Sequence, residues 1–296
     1  MRPPRLDKAL GQHHLVSGSL CRPLIEFLQP GGQRVVEVGP GGGVLTAELL
    51  AAGARVLAWE VDLAWAAELR RRWQRWQRSE RSERSERWGT ASPSGRGSGG
   101  PPAIVVEDAL DLPWGRLPPP TLVAGNLPYN IATALLGALL PHHLQVPRAA
   151  FLVQREVAER LLAGPGDPAY GSFSVLVAAH ARAVPLGRVR RGSFRPPPKV
   201  EGAYVGFELR PPPLPAGEMP AFLATVRLAF GQRRKTLRNS LAAGWGRERA
   251  AAVLAALGLP DDARAERLGL PELLALHRAG QLAVLTVPPC GDETFQ

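Results

Sequence analysis

Short apolar runs alternate with stretches of helical spacing over the first two thirds of this chain, and that alternation narrows the possible folds more than any other feature. Residues 34–38 read as a buried strand, followed by a glycine cluster and then by helical spacing over 44–50. Residues 55–60 form a second strand that leads into a helix from about Leu63. Further strands are expected at 103–107, 121–124, 149–153 and 204–209, with helices near 132–140, 156–162 and 174–181. Strands separated by helices predict an α/β fold, a mostly parallel sheet covered on both faces.

The pattern changes after Pro211-Pro-Pro-Leu-Pro215. From Met219 to about Leu282 the spacing is helical, broken by Gly244, Gly246, Gly258 and Pro271, with no convincing strand. Two domains are therefore expected, at 1–210 and 211–296, which suits 296 residues at ~150 per domain. A low-complexity insert at about 75–102 stands apart. Its Arg-Ser-Glu repeat from Arg78 to Arg87 and the Gly/Ser/Pro tract up to Pro102 offer no hydrophobic face. Such a segment cannot repay its ordering entropy. It reads as a solvated helix extension running into a disordered loop, since surface insertions cost little. The rival reading is an RNA-binding arm, because Arg70, Arg71, Arg72 and Arg75 precede it.

The chain is 45% hydrophobic and 21% charged, enough apolar material for a core and too much for a disordered polymer. Its formal charge of +10 suits polyanionic partners. Cys21 and Cys290 form no CxxC, which argues against a disulfide framework or a cysteine zinc site and for a reducing compartment. The start lacks the apolar core of a signal peptide. Asn126, Pro128, Asn130 and Pro141 interrupt the one long uncharged stretch, and a membrane span needs ~20 continuous apolar residues. A soluble cytoplasmic protein with no membrane partner is the expectation.

The strongest local motif is Glu37-Val-Gly39-Pro-Gly41-Gly-Gly43, placed at a strand end and opening a helix. Glycines let the backbone turn sharply and approach a ligand closely. A dinucleotide fingerprint needs G-x-G-x-x-G, and its third position counted from Gly39 is Val44. The acidic-x-G-x-G-x-G pattern instead resembles the first motif of S-adenosylmethionine (SAM) methyltransferases. Glu60 stands 21 residues after Gly39, where a carboxylate can accept both ribose hydroxyls of a nucleoside. Asp108, at the end of the third strand, can accept from an adenine amino group. Each acid alone also fits a solvated strand end.

Asn126-Leu-Pro-Tyr129 follows the fourth strand, at the carboxyl end where open α/β sheets bind ligands. An Asn side-chain oxygen and the Leu127 carbonyl can accept both N–H bonds of an amine and aim its lone pair. Pro128 stiffens the turn, and Tyr129 offers a ring for stacking on a base. Phe194, ahead of three prolines, is a candidate for the opposite face of that base or, equally, a core aromatic at a strand start. The target base must leave its stack or come from a single strand.

Five motifs then fall in one order: Leu10-Gly-Gln-His-His-Leu15, the glycine loop, Asn126-Leu-Pro-Tyr129, Phe194-Arg-Pro-Pro-Pro-Lys-Val200 and Phe230-Gly-Gln-Arg-Arg-Lys-Thr-Leu-Arg-Asn-Ser-Leu241. Together they resemble the ribosomal RNA adenine dimethyltransferase family, over about residues 10–282 apart from the insert. The resemblance implies a Rossmann-like SAM-dependent methyltransferase sheet with a small helical C-terminal domain. It implies dimethylation of the N6 amines of two adjacent adenosines near the 3′ end of 16S rRNA, in the small ribosomal subunit or its precursor. It implies a cofactor site at His13, Leu15, Gly39, Glu60, Asp108 and Asn126, to which the loop adds Gly41. The family has Asn-Phe where this chain has His13-His14; a His can still donate to the cofactor, and its charge can respond near pH 6.5. No second cluster supports a metal at these histidines. Arg227, Arg233, Arg234, Lys235 and Arg238 cluster beside Phe230 as an RNA grip, with only Glu218 and Glu248 nearby in sequence to balance them. A monomer is expected. The alternatives are a 23S rRNA adenine methyltransferase of the macrolide-resistance type, a non-catalytic RNA-binding relative and a nicotinamide-dependent oxidoreductase; Val44 and the +10 charge argue against the last.

Overall fold

A computed structural model describes residues 4, 12–86, 100–128, 131–232 and 234–286. Tyr129, Arg233 and residues 87–99 of the insert lie outside them. Seven strands form one sheet: β2 (Arg34–Val38), β3 (Arg55–Trp59), β4 (Ala103–Val105), β5 (Thr121–Asn126), β6 (Arg148–Gln154), β7 (Ala181–Val189) and β9 (Gly202–Leu209). Two short strands, β1 (His14–Leu15) and β8 (Phe194–Arg195), pair with each other outside it. The sheet order is β4-β3-β2-β5-β6-β9-β7. The first five are parallel, and β9 and β7 are antiparallel.

Between the strands run α1 (Arg22–Leu28), α2 (Val44–Ala51), α3 (Leu63–Glu86), α4 (Ala132–Leu139) and α5 (Arg155–Leu162). Burial is nearly continuous along β2, β5 and β6, as expected of strands covered on both faces. Leu24, Leu28, Val35, Leu49, Leu122 and Ala150 belong to one core cluster. The chain leaves β2 towards β3 and β4 on one side and later fills β5 and β6 on the other. That reversal opens a crevice at the carboxyl ends of β2 and β5.

Helix α1 and the short strands β1 and β8 were not expected from the sequence, and two elements of the main sheet also differ from that reading. Strand β7 stands where no strand was expected, directly after α6 (Ser172–His180). Pro185 and Gly187 hide it from a pattern search, yet its register shifts between those two residues and it lies at the sheet edge, where proline is tolerated. Strand β4 stops at Val105 and not at Glu107, because the Asp108 carboxylate turns the chain by accepting from the Leu110 N–H at 2.9 Å.

A second compact unit consists of Ala163–Ala179 and the chain from Pro212 onward. The sequence reading had put 163–179 in the first domain. Val175 and Ala179 share a cluster with Phe222, Leu237, Leu254 and Leu273, and the Tyr170 hydroxyl donates to the Leu268 carbonyl at 2.9 Å. Helices α7 (Met219–Phe230), α8 (Leu237–Trp245), α9 (Arg247–Ala256) and α10 (Leu270–Thr286) make the rest. Among the described residues, no helix is long and apolar enough to cross a membrane.

Candidate active site

The glycine loop bridges the end of β2 and the start of α2. Gly39, Gly41 and Gly43 have φ of 67°, 48° and 78°, the left-handed region that favours glycine, which explains their alternate spacing. A side chain on Gly41 would bring its Cβ within 2.6 Å of His14 Nε2. At Gly39, which lines the neighbouring cavity, a Cβ would meet nothing within 4 Å.

That cavity, about 190 Å³, lies at the carboxyl ends of the parallel strands. It gathers His13, Gly39, Gly41, Glu60, Asp108, Asn126, Leu127, Pro128 and Phe194. Glu60 is buried just past β3; its Oε2 accepts from the Gly41 N–H at 2.9 Å and its Oε1 from the Asp62 N–H at 3.0 Å. An ionised carboxylate has about four lone-pair sites, so these backbone bonds leave it acceptor capacity for a ligand. The Trp59 indole donates to the Asp108 carbonyl at 3.1 Å and fixes the loop on which that acid sits.

Asn126 ends β5, and its Nδ2 donates to the His13 carbonyl at 2.7 Å. That bond uses one of the two Nδ2 hydrogens and fixes the amide's orientation, and Oδ1 is its acceptor. The backbone is held too, by Leu127 N–H donating to the Leu152 carbonyl at 3.0 Å. His13 in turn donates from Nδ1 to the Pro196 carbonyl at 2.8 Å. A carbonyl can only accept, so the Nδ1 proton of His13 is committed to Pro196. β1 pairs with β8 through Leu15 opposite Phe194, so four of the five motifs meet here.

Leu15 is placed differently from its companions. It is buried in the core cluster and lines a smaller recess of about 30 Å³ behind the loop, not the main cavity. Phe194 is a core residue that also lines the cavity. Trp59, Val61 and Ala109 line the cavity without having been singled out, and His14, noted in the sequence only as a departure from the family pattern, lines it too. Val61 and Ala109 directly follow the two acids, and a large apolar residue left 48% exposed, as Val61 is, is the signal that marks such a wall. In the helical unit Arg227, Arg234 and Lys235 are exposed. Arg238 instead pairs with Asp261 at 3.0 Å, a partner 23 residues away that the local charge count missed. Among the described residues, no group of three or more His, Cys, Asp or Glu is arranged to hold a metal ion.

Burial dominates the electrostatics. It lowers the pKa of His14 to about 4, helped by Arg72 and His13 and opposed by Asp62, so the ring is neutral at pH 7. It raises that of Glu60, against the N–H groups of Asp62 and Gly41. Glu37, the acid that opens the glycine motif, is 1% exposed, and burial pushes its carboxyl up to about 8 against the opposing effect of Thr46. A folded-state pKa above the usual 4.5 means that the folded chain holds the proton longer. The contribution of Glu37 to stability is therefore complete below pH 4.5 and falls as pH rises towards 8, by roughly 1.4 kcal/mol per unit. Glu37→Gln should flatten that fall. Equal declines in melting temperature between pH 5 and 8 for both proteins would refute the buried acid.

Comparison with known proteins places this arrangement. The family model described as ribosomal RNA adenine dimethylase matches residues 108–276. A ribosomal RNA small subunit methyltransferase A of Kineococcus radiotolerans is 38% identical over 283 residues, 93% of this chain and 87% of that protein. Among solved structures, a dimethyladenosine transferase from Plasmodium falciparum has the same fold, with a TM-score of 0.71 and 20% identity over 92% of this chain and 98% of that one. The 23S rRNA methyltransferase ErmE also has it, at a TM-score of 0.61 and 23% identity, covering 89% and 97%. On the matched model and the extent of identity, the chain belongs to the ribosomal RNA adenine dimethylase family.

Proposed function

We propose that this protein uses SAM to dimethylate the N6 amines of two adjacent adenosines near the 3′ end of 16S rRNA, acting as a cytoplasmic monomer on the small ribosomal subunit or its precursor. The observation that carries the reading is the Asn126 amide, tethered by His13 at the carboxyl end of β5 and sharing one cavity with Glu60 and Asp108. The 38% identity over most of both chains to a small subunit methyltransferase favours 16S over 23S rRNA.

The residues present suit the cofactor. Glu60 keeps acceptor capacity for ribose hydroxyls, Asp108 has an exposed carboxylate for an adenine amine, and Gly39 leaves open the space that a Cβ would take. When bound, SAM supplies a methyl made electrophilic by its sulfonium. The protein's own task is positioning. Asn126 Oδ1 and the Leu127 carbonyl accept the N–H bonds of the target amine and favour a more tetrahedral nitrogen. Pro128 holds the turn, while Tyr129 and Phe194 stack on the base. Arg227, Arg233, Arg234 and Lys235 supply phosphate contacts. Incubation with labelled SAM and unmodified small-subunit particles, followed by nucleoside mass spectrometry, should yield N6,N6-dimethyladenosine at adjacent positions. Label in 23S rRNA alone, or none, would overturn the proposal.

A further inference from the structure

The cavity leaves one concentration of charge unexplained. Helix α3 starts just after Glu60, and two to three turns along it Arg71, Arg72 and Arg75 converge on one carboxylate, Glu68. Arg71 donates to Glu68 Oε2 from NH2 at 2.9 Å and from Nε at 3.2 Å. Arg72 Nε reaches Oε1 at 3.0 Å, and Arg75 NH2 lies 3.6 Å from the same oxygen. Glu68 is buried, whereas the three arginine side chains are 48%, 45% and 67% exposed. Among the described residues, no other carboxylate lies within ion-pair distance of them, so three cations share one anion.

A stability role accounts poorly for this. Exposed pairs contribute about 0–1 kcal/mol each, and crowding three guanidiniums gives part of that back. The arrangement does suit a ligand with more than one negative oxygen. Guanidinium forks match phosphate in two-point geometry, and a buried Glu68 holds them in place beforehand. The location adds a second, independent observation. Arg72 NH1 donates to the Gly42 carbonyl at 2.6 Å, and Gly41, next in the chain, lines the cavity.

We infer that Arg71, Arg72 and Arg75 form a phosphate-binding patch that holds the substrate RNA backbone beside the cavity. The inference rests on the rRNA reading above and adds a contact surface within the catalytic unit itself. Arg72 also supports the glycine loop, so the test uses the other two. Arg71→Gln/Arg75→Gln should weaken binding to unmodified small-subunit rRNA about thirty-fold at 0.1 M salt and make the log–log salt slope shallower by roughly 1.5, as expected for two lost phosphate contacts. Arg71→Lys/Arg75→Lys should restore most of the slope, because Lys still supplies the charge. Calorimetric affinity for SAM should be the same in all three proteins. An unchanged salt slope in the glutamine variant overturns the patch, and so does an equal loss of SAM affinity, which would make the arginines a scaffold for the loop. A wild-type protein that binds no rRNA would instead overturn the function itself, and the patch with it.

Discussion

Asn126→Ala should lower methyl transfer to small-subunit rRNA on the order of 10²–10³-fold, the loss typical when one preorganised polar contact to a reacting group is removed. Calorimetric affinity for SAM should change by less than about tenfold, since Glu60, Asp108 and the glycine loop remain. Asn126→Asp makes a sharper test. It retains an oxygen acceptor but has no N–H to donate to the His13 carbonyl, which lies 2.7 Å from Nδ2 in the wild type. Its carboxylate would face that carbonyl and swing away, so this variant should be nearly as inactive as the alanine. Turnover above a tenth of wild type in either variant would remove Asn126 from its assigned role.

Glu60→Gln should produce the opposite profile. Both carboxylate oxygens accept a backbone N–H, from Gly41 at 2.9 Å and from Asp62 at 3.0 Å. A glutamine has one acceptor oxygen and presents an NH₂ where the other acceptor was, so one backbone N–H loses its partner and the ribose loses an acceptor. Hydrogen bonds to a charged group contribute about 1.5–3 kcal/mol, so the SAM dissociation constant should rise roughly 10–150-fold. S-adenosylhomocysteine should weaken in parallel, because the ribose is common to both. A folded Glu60→Gln protein that binds either ligand with wild-type affinity would show that the carboxylate does not read the ribose. The two variants together separate holding the cofactor from aiming the amine.

Much of the site was legible beforehand because its constraints are local. Gly39, Gly41 and Gly43 need left-handed φ values, and that need is written as a spacing of two. Glu60, Asp108 and Asn126 sit just past or at strand ends, and strand ends can be read from apolar runs. Phe194 was legible only in part, since nothing local tells a core aromatic from a cavity wall, and here it is both. The sequence marks His14 only as a departure from the family pattern; what it does not encode is the ring's position, edge-on to Trp65 at 4.4 Å between centroids and beside Gly41. Strand β7 escaped because its proline, glycine and arginines break the apolar alternation.

Read alone, the amino-acid order was enough for the α/β alternation, the helical tail and the sequence of motifs, because backbone preference and hydrophobic period act over a few residues. Only the folded chain decided which groups are already engaged. His13 offers its carbonyl to Asn126 from 113 residues away, Arg238 is paired with Asp261, and Ala163–Ala179 joins the helical unit. Each of these depends on segments distant in sequence meeting in space, and nothing in a local pattern encodes that meeting. What residue 126 can do is a property of asparagine; which way its amide faces is a property of the fold.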